Sequence, residues 1–233
     1  MGTILLRLAG VMVIVTMLMF AIRWWKRKKY VRVVREGADK GNAIAQNNLG
    51  MAYMNGFGIP KDECMAVIWF RRAADQGNAD AQNNLGMAYL LGRGVSINEC
   101  MAVTWFRKAA DQGYADSQFC LGVAYMEGRG VPKDQNEAVK WWKKAADQGY
   151  ADAQYNLGMA YVLGRGVTKD ERMAIKWFQK AVEQGDANAQ AALGASYLAG
   201  RGVTKDECMA VEWFQKAAKQ GNERAKEALK RLK

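Results

Sequence analysis

The chain has 233 residues, half of them hydrophobic and only two of them proline, so it is long enough to bury a substantial core. It contains no histidine, which removes the commonest metal ligand and general base. The net charge is +11, but nine basic and two acidic residues fall within residues 1–40. The remainder is nearly balanced, so the sequence does not indicate nucleic-acid binding.

An apolar segment over residues 4–25 precedes a cluster of basic residues. Since about 20 apolar residues cross a bilayer, we predict a transmembrane helix over residues 4–25, with Arg7 reaching the interface. The positive charge after this span favours a single pass through the cell (inner) membrane, with the rest of the chain facing the cytoplasm. We expect the basic cluster to contact anionic lipid headgroups. Its residues are Lys26, Arg27, Lys28 and Lys29.

Three alternatives remain open for this segment. A cleaved signal peptide implies an exported protein, but Met19 is large for a position two residues before a cut after Ala21. A signal anchor places the rest of the chain in the periplasm, against the positive-inside bias. A buried helix of a soluble protein is the third alternative.

Glycines spaced 36 positions apart reveal an internal repeat over residues 41–220, present five times. They are Gly41, Gly77, Gly113, Gly149, Gly185 and Gly221. Self-similarity at this period predicts a solenoid of stacked helix pairs. Residues 30–40 match the end of a repeat, so we predict a half-repeat helix that continues directly from the anchor and basic cluster of residues 1–29. Residues 221–233 resemble a first helix with Lys230 in place of a glycine, which predicts a capping helix.

The first helix of each repeat, helix A, is represented by residues 78–91. Its apolar face follows helical spacing. Gly86 lies inside this helix and costs about 1 kcal/mol relative to alanine, so we expect a large side chain of the second helix to approach it closely. The residues of the apolar face are Ala81, Leu85, Ala88 and Tyr89.

A glycine turn joins helix A to the second helix, helix B, of residues 99–112. Gly92 is expected to end helix A in a left-handed conformation, and the five copies of this turn argue against a phosphate-binding loop. An aspartate, such as Asp134 in the third repeat, precedes most B helices and is expected to cap them. The pair Trp105 and Phe106 recurs beside alanines, which favours a core position over a platform for stacking nucleic-acid bases.

This pattern resembles the Sel1-like repeat, a relative of the tetratricopeptide repeat. In the second copy it reads Ala81, Leu85, Gly86, Tyr89, Gly92, Gly94, Val95, Ala102, Trp105, Lys108, Ala109, Ala110 and Gly113. The resemblance covers residues 41–220 and the half-repeats at each end. It implies an all-α chain, a right-handed α/α solenoid of about five helix-pair repeats, here preceded by the predicted transmembrane helix. It also implies an adaptor or scaffold role.

A binding surface is expected where the A helices differ between copies, because the constant positions form the core. In a curved solenoid of helix pairs the A helices line the concave face. Asparagines there suit an extended peptide backbone, while methionine and aromatic side chains supply apolar anchors. The predicted protein-binding residues are Asn47, Asn48, Met51, Asn83, Asn84, Met87, Leu91, Phe119, Val123, Glu127, Tyr155, Asn156, Met159 and Leu163.

The sequence therefore predicts a membrane-tethered scaffold that binds a protein or peptide partner and is not an enzyme. The alternatives are an immunity protein that neutralises a toxin or enzyme, and an exported repeat enzyme. No catalytic, metal or cofactor residue is assigned, although Cys120 and Glu127 depart from the repeat template. We expect all four cysteines to be buried, reduced and hydrophobic in role.

Overall fold

The computed structural model describes the backbone of residues 2–232 and the side chains of residues 19 and 22–232. Within this part of the chain all regular secondary structure is α-helical. The helices are α1 Gly2–Asp39, α2 Ala43–Asn55, α3 Glu63–Asp75, α4 Ala79–Leu91, α5 Glu99–Asp111, α6 Ala115–Glu127, α7 Gln135–Asp147, α8 Ala151–Leu163, α9 Glu171–Glu183, α10 Ala187–Ala199, α11 Glu207–Lys219 and α12 Glu223–Arg231. The prediction of an all-α chain of helix-pair repeats is confirmed.

The chain forms two compact units, one ending at Asn98 and one beginning at Glu99. In the first unit α1 packs on α2, α2 on α3 and α3 on α4. In the second unit each helix from α5 to α12 packs on the next one along the chain. The A helices are α2, α4, α6, α8 and α10, and the B helices are α3, α5, α7, α9 and α11.

Both predicted helix ends are present. Oδ1 of Asp62 accepts a hydrogen bond from the backbone N–H of Met65 at 2.9 Å, which satisfies one free donor at the start of α3. Asp134, Asp170 and Asp206 cap their B helices in the same way. The A helices end on glycines with φ between 65° and 76°, in the left-handed conformation that was expected. These are Gly56, Gly92, Gly128, Gly164 and Gly200.

The glycine inside helix A allows a bulky ring of helix B to lie directly against the backbone. A Cβ atom at Gly158 would lie 2.5 Å from Cε1 of Phe178, and one at Gly194 would lie 2.8 Å from Phe214. Phe178 is 1% exposed and packs with Leu193 and other apolar residues of α9 and α10. The recurring aromatic pairs therefore belong to the core, as the repeat pattern predicted.

A buried glutamine lies in the first turn of each A helix, a feature that the sequence pattern did not reveal, and Gln154 shows how it links three helix ends. Nε2 of Gln154 donates to the carbonyl oxygen of Ala146 at 3.1 Å, at the end of the preceding B helix. Its Oε1 accepts a hydrogen bond from Nε2 of Gln184 at 2.9 Å, at the end of the following B helix. Gln46, Gln118 and Gln190 also accept from the glutamine 30 residues later. The amide satisfies an otherwise orphaned helix-end carbonyl.

The substitution Gln154→Met is expected to lower the free energy of unfolding by about 2 kcal/mol, because the carbonyl of Ala146 and the amide of Gln184 each lose a partner. Urea unfolding followed by tryptophan fluorescence measures this. The exposed Gln179 of α9 offers a matched control, and Gln179→Met should stay within about 0.5 kcal/mol of the parent. Equal losses in the two variants would contradict a structural role for the glutamine.

Helix α1 joins the N-terminal segment to the repeats without a break, as the absence of a linker predicted. Its last turns bury Val31, Val34 and Ala38 against Leu49 and Ala52 of α2. Most side chains of the predicted span, residues 4–25, lie outside the described residues. Among the residues whose placement is described, no helix has the length and the apolar character needed to cross a membrane. The predicted anchor is thus not supported by the structure.

The prediction that the cysteines are buried is wrong for three of them. Cys64, Cys100 and Cys208 are exposed, and Cys120 is partly exposed. The three exposed thiols lie in the first turn of α3, α5 and α11, on the side away from the alanine and aromatic core residues. Recurrence at the repeat period does not distinguish a core position from a surface position, so it could not reveal that these three cysteines are exposed.

Candidate functional site

The predicted binding residues differ widely in their exposure. Asn47 is buried, with 8% of its surface exposed. Four are exposed: Met51, Leu91, Glu127 and Leu163. The others are partly exposed: Asn48, Asn83, Asn84, Met87, Phe119, Val123, Tyr155, Asn156 and Met159. The variable positions of the A helices therefore present side chains to solvent at most sites, but not at Asn47.

Asn47 and Asn84 pair with each other in the first unit. Oδ1 of Asn47 accepts a hydrogen bond from Nδ2 of Asn84 at 2.9 Å. These two amides connect α2 to α4, so at least part of their hydrogen-bonding capacity serves the packing of successive A helices. A partner's backbone would have to compete with this hydrogen bond to use the same atoms.

Asn48 and Met51 line a small pocket in the first unit, the N-terminal pocket, of about 300 Å³. Its walls are Tyr30, Asn48, Met51, Ala52, Asn55 and Phe57. The rings of Tyr30 and Phe57 meet edge to face with centroids 5.7 Å apart. The guanidinium carbon of Arg27 lies 5.0 Å from the centroid of Phe57, which contributes a cation–π contact at the mouth.

Phe119 and Tyr155 each pack partly against another aromatic ring in the second unit. The ring of Phe119 lies against that of Tyr150 with centroids 5.2 Å apart. The ring of Tyr155 lies 6.0 Å from that of Phe178, centroid to centroid. Each side chain is thus anchored on one face by the core and partly open on the other, which is the arrangement of a rigid aromatic contact residue.

A concave feature, which we name the C-terminal cavity, lies between α8, α10 and α12 in the second unit. Its volume is about 720 Å³, within the range of ligand sites in proteins. It is lined by Tyr155, Met159, Asn188, Ala191, Ala192, Ala195, Leu198, Phe214, Asn222, Glu223, Arg224, Glu227, Ala228, Arg231 and Leu232. Only Tyr155 and Met159 of the predicted residues belong to it.

The alanines of α10 create this cavity. Ala195 stands where Met51, Met87 and Met159 stand in other repeats, and Ala191 stands where Tyr155 does. Residues of α12 form one wall of the cavity, and Ala191 also packs against Ala225 of that helix. The replacement of larger residues by alanine at these positions is the sequence signal that could have indicated the cavity.

The non-template residue Cys120 does not form a nucleophilic site. Burial, with the nearby Asp116 as a smaller cause, raises the pKa of its thiol to about 12. The pKa of Tyr150 is also raised, first by burial and then by its hydrogen bond to Asp116. Both groups stay neutral near pH 7. Among the described residues no group of three acidic or thiol side chains is placed to hold a metal ion.

The thiols are expected to react with iodoacetamide at very different rates at pH 8. Cys64, Cys100 and Cys208 are exposed and should be alkylated readily, whereas Cys120 should react about 100-fold more slowly, because burial keeps it protonated. Peptide mass spectrometry of timed samples resolves the four sites. In urea all four should react alike, which controls for intrinsic reactivity. Rapid alkylation of Cys120 in the folded chain would contradict its placement.

The profile of the Sel1 repeat matches the chain at residues 43–78, 79–114, 115–150, 151–186 and 187–222. The crystal structure of a Sel1 repeat protein from Oxalobacter formigenes is 36% identical, with a TM-score of 0.80 over 89% of this chain and 84% of that one. The protective antigen c5321 of uropathogenic Escherichia coli is 41% identical, with a TM-score of 0.81 over 84% of this chain. This chain spans only 42% of that longer antigen.

More distant structures share the fold alone. The immunity protein Pa5087 from Pseudomonas aeruginosa is 21% identical, with a TM-score of 0.53 over 85% of this chain and 76% of that chain. The comparison with curated proteins gives no match. The similarities therefore establish the type of repeat, whereas the function must be inferred from the geometry of this chain.

Proposed function

Because the chain belongs to the Sel1 repeat family, we propose that it is a membrane-tethered scaffold that binds a protein partner along the surface of its A helices. The observation that carries the proposal is a division of roles within each repeat. Leu157, constant in all five copies, is 1% exposed, whereas Leu163, at a variable position of the same helix, is 49% exposed. Constant residues of this kind hold the helices together, and most of the variable residues, with Asn47 as an exception, are at least partly exposed.

The chemistry of the outward positions suits a protein partner. Met51, Leu91 and Leu163 are apolar side chains that are each at least 39% exposed. Flexible methionine and leucine side chains adapt to a partner's apolar surface, and neighbouring asparagines supply hydrogen bonds. No described cluster of titratable groups on these helices supports a catalytic step, so the proposal assigns none.

Photo-crosslinking tests this surface directly. Benzoylphenylalanine is placed one site at a time at Met51, Leu91 and Leu163 on A helices, and at Ile68 and Gln179, which are exposed on B helices. After irradiation of cells that express the chain, we expect discrete crosslinked products from the A-helix sites and much weaker ones from the B-helix sites. Equal products from both sets would contradict the proposal.

The alternative function is that of an immunity protein. The chain shares only its fold with the immunity proteins Pa5087 and PA5088 from Pseudomonas aeruginosa, at 21% and 20% identity. The identity of the crosslinked partner separates the two functions. A toxin or enzyme whose activity is blocked at an equimolar ratio supports neutralisation. A component of a membrane-associated complex that remains active when bound supports a scaffold.

The membrane tether and the cytoplasmic location are parts of the same proposal. In α1 the exposed Trp24 and Trp25 carry Lys28 and Lys29 over their rings, at 4.0 Å and 5.3 Å from the ring centroids. Aromatic and basic side chains in this combination favour the interface of an anionic membrane. The proposed lipid contacts are those of Lys26, Arg27, Lys28 and Lys29.

The exposed native thiols test this location. Cys64, Cys100 and Cys208 should resist a membrane-impermeant maleimide in intact spheroplasts and react after lysis, in a chain recovered with the membrane fraction. Labelling in intact spheroplasts would show that the repeats face outward. Recovery of the chain in the soluble fraction would contradict the proposed membrane tether but would not contradict the proposed binding surface.

A further inference from the structure

The C-terminal cavity offers an apolar recess that the rest of the chain leaves unfilled. Its apolar lining includes Ala191, Ala192 and Ala195 of α10, together with Phe214 of α11 and Met159 of α8. Burying an apolar group here is favourable because it removes apolar surface from water. The recess is partly open to solvent, so a segment of a partner chain can enter it.

Some of the charged side chains that line the cavity already form ion pairs, and one does not. Oε1 of Glu223 pairs with Nζ of Lys226 at 2.7 Å, and Oε1 of Glu227 pairs with the guanidinium of Arg231 at 3.2 Å. Arg224 also lines the cavity but has no ion pair or hydrogen bond within the described residues. Both rim carboxylates are therefore neutralised within α12, and one guanidinium is left to attract an anion.

The start of α12 adds to this preference. Asn222, Glu223 and Arg224 occupy the N-cap and the first turn of the helix, and all three line the cavity. Backbone N–H groups and the positive end of the helix dipole favour a negative charge at this place. Apolar side chains and the guanidinium of Arg224 thus line one open cavity.

We propose that the C-terminal cavity binds a partner segment in which a bulky apolar side chain lies next to an aspartate or glutamate. The apolar group occupies the volume over Ala195, and the carboxylate pairs with Arg224. This inference rests on the proposed scaffold function and gives it a recognition chemistry.

A pair of photoreactive peptides tests the inference on the full chain. The first is Gly-Ser-Gly-benzoylphenylalanine-Glu-Gly-Ser, and the matched control has Gln in place of Glu. We expect the Glu peptide to crosslink about fivefold more than the Gln peptide, with the label on residues of the cavity, as one exposed charge pair provides. Mass spectrometry of the digested product locates the attachment.

Three variants separate the two contacts. Ala195→Met introduces the residue that three other repeats carry at this position, so the fold should tolerate it, and crosslinking of both peptides should fall about tenfold. Ala199→Leu, on the same helix but outside the cavity, should change nothing. Arg224→Gln should abolish the preference for Glu while leaving the Gln peptide unaffected. Circular dichroism confirms that each variant is folded.

The contradicting results are equally specific. Unchanged crosslinking in Ala195→Met, or equal capture of the two peptides by the parent chain, would overturn the inference. Attachment at the A helices of the first unit would overturn it too, but would leave the scaffold function standing. Failure of the scaffold function would instead appear as absent A-helix crosslinks in cells, whatever the peptides do.

Discussion

The variant Gly166→Ala is expected to lose about 3 kcal/mol of unfolding free energy, against about 1 kcal/mol for Gly149→Ala. Both glycines have left-handed backbones, with φ of 70° and 90°, so both variants suffer the strain of placing alanine there. A Cβ atom at Gly166 would also overlap the backbone carbonyl of Gln135 at the start of α7, whereas nothing lies within 4 Å at Gly149. Backbone atoms cannot move aside as a flexible side chain does.

Urea unfolding of the two variants and the parent, followed by tryptophan fluorescence, measures this difference. Equal losses would mean that backbone strain alone accounts for the requirement for glycine at position 166. The turn would then not be in close contact with the neighbouring repeat. The difference between the variants, rather than either loss, is therefore the informative quantity. It reports how closely successive repeats are packed at their glycine turns.

Truncation of Phe178 to alanine is expected to destabilise the chain by about 4 kcal/mol, because the ring is 1% exposed and leaves a cavity behind. In the parent, Gly158→Ala should also be destabilising, since a Cβ atom would lie 2.5 Å from the ring. In the Phe178→Ala background the sign should reverse. Alanine then meets no ring and gains about 1 kcal/mol of helix propensity over glycine.

The double-mutant cycle thus predicts a change of sign and not only of size. Four proteins are needed: the parent, the two single variants and the double variant, all unfolded under identical conditions. If Gly158→Ala destabilises equally in both backgrounds, the glycine is not required by Phe178. The recurring glycine inside helix A would then need another explanation.

The sequence predicted the fold because each constant residue of the repeat has one physical task. Gly92 ends a helix, Asp170 caps one, and Phe178 fills the space over a glycine, and the structure confirms all three. Repetition made these assignments secure, since a functional residue has no reason to recur five times. The buried Gln154 was missed because a polar residue inside an apolar pattern resembles a surface position.

The candidate site was less predictable, because it depends on what neighbouring side chains leave empty. Sequence comparison of the repeats marked Tyr155 and Met159 as variable, but could not show that Ala195 opens a cavity beside them. Likewise, Asn47 looked like a surface amide and is in fact buried against Asn84. The volume of a cavity and the pairing of hydrogen-bonding side chains depend on how neighbouring residues pack, so they cannot be predicted from single positions of a repeat.

Oxidative footprinting with the partner identified by crosslinking tests the central claim most directly. Methionines lie on both kinds of helix, with Met51, Met87 and Met159 on A helices and Met65 and Met173 on B helices. We predict that binding slows sulfoxide formation at the A-helix methionines and leaves the B-helix methionines unchanged. Protection of Met65 and Met173 instead, with the A-helix methionines unaffected, would contradict the account.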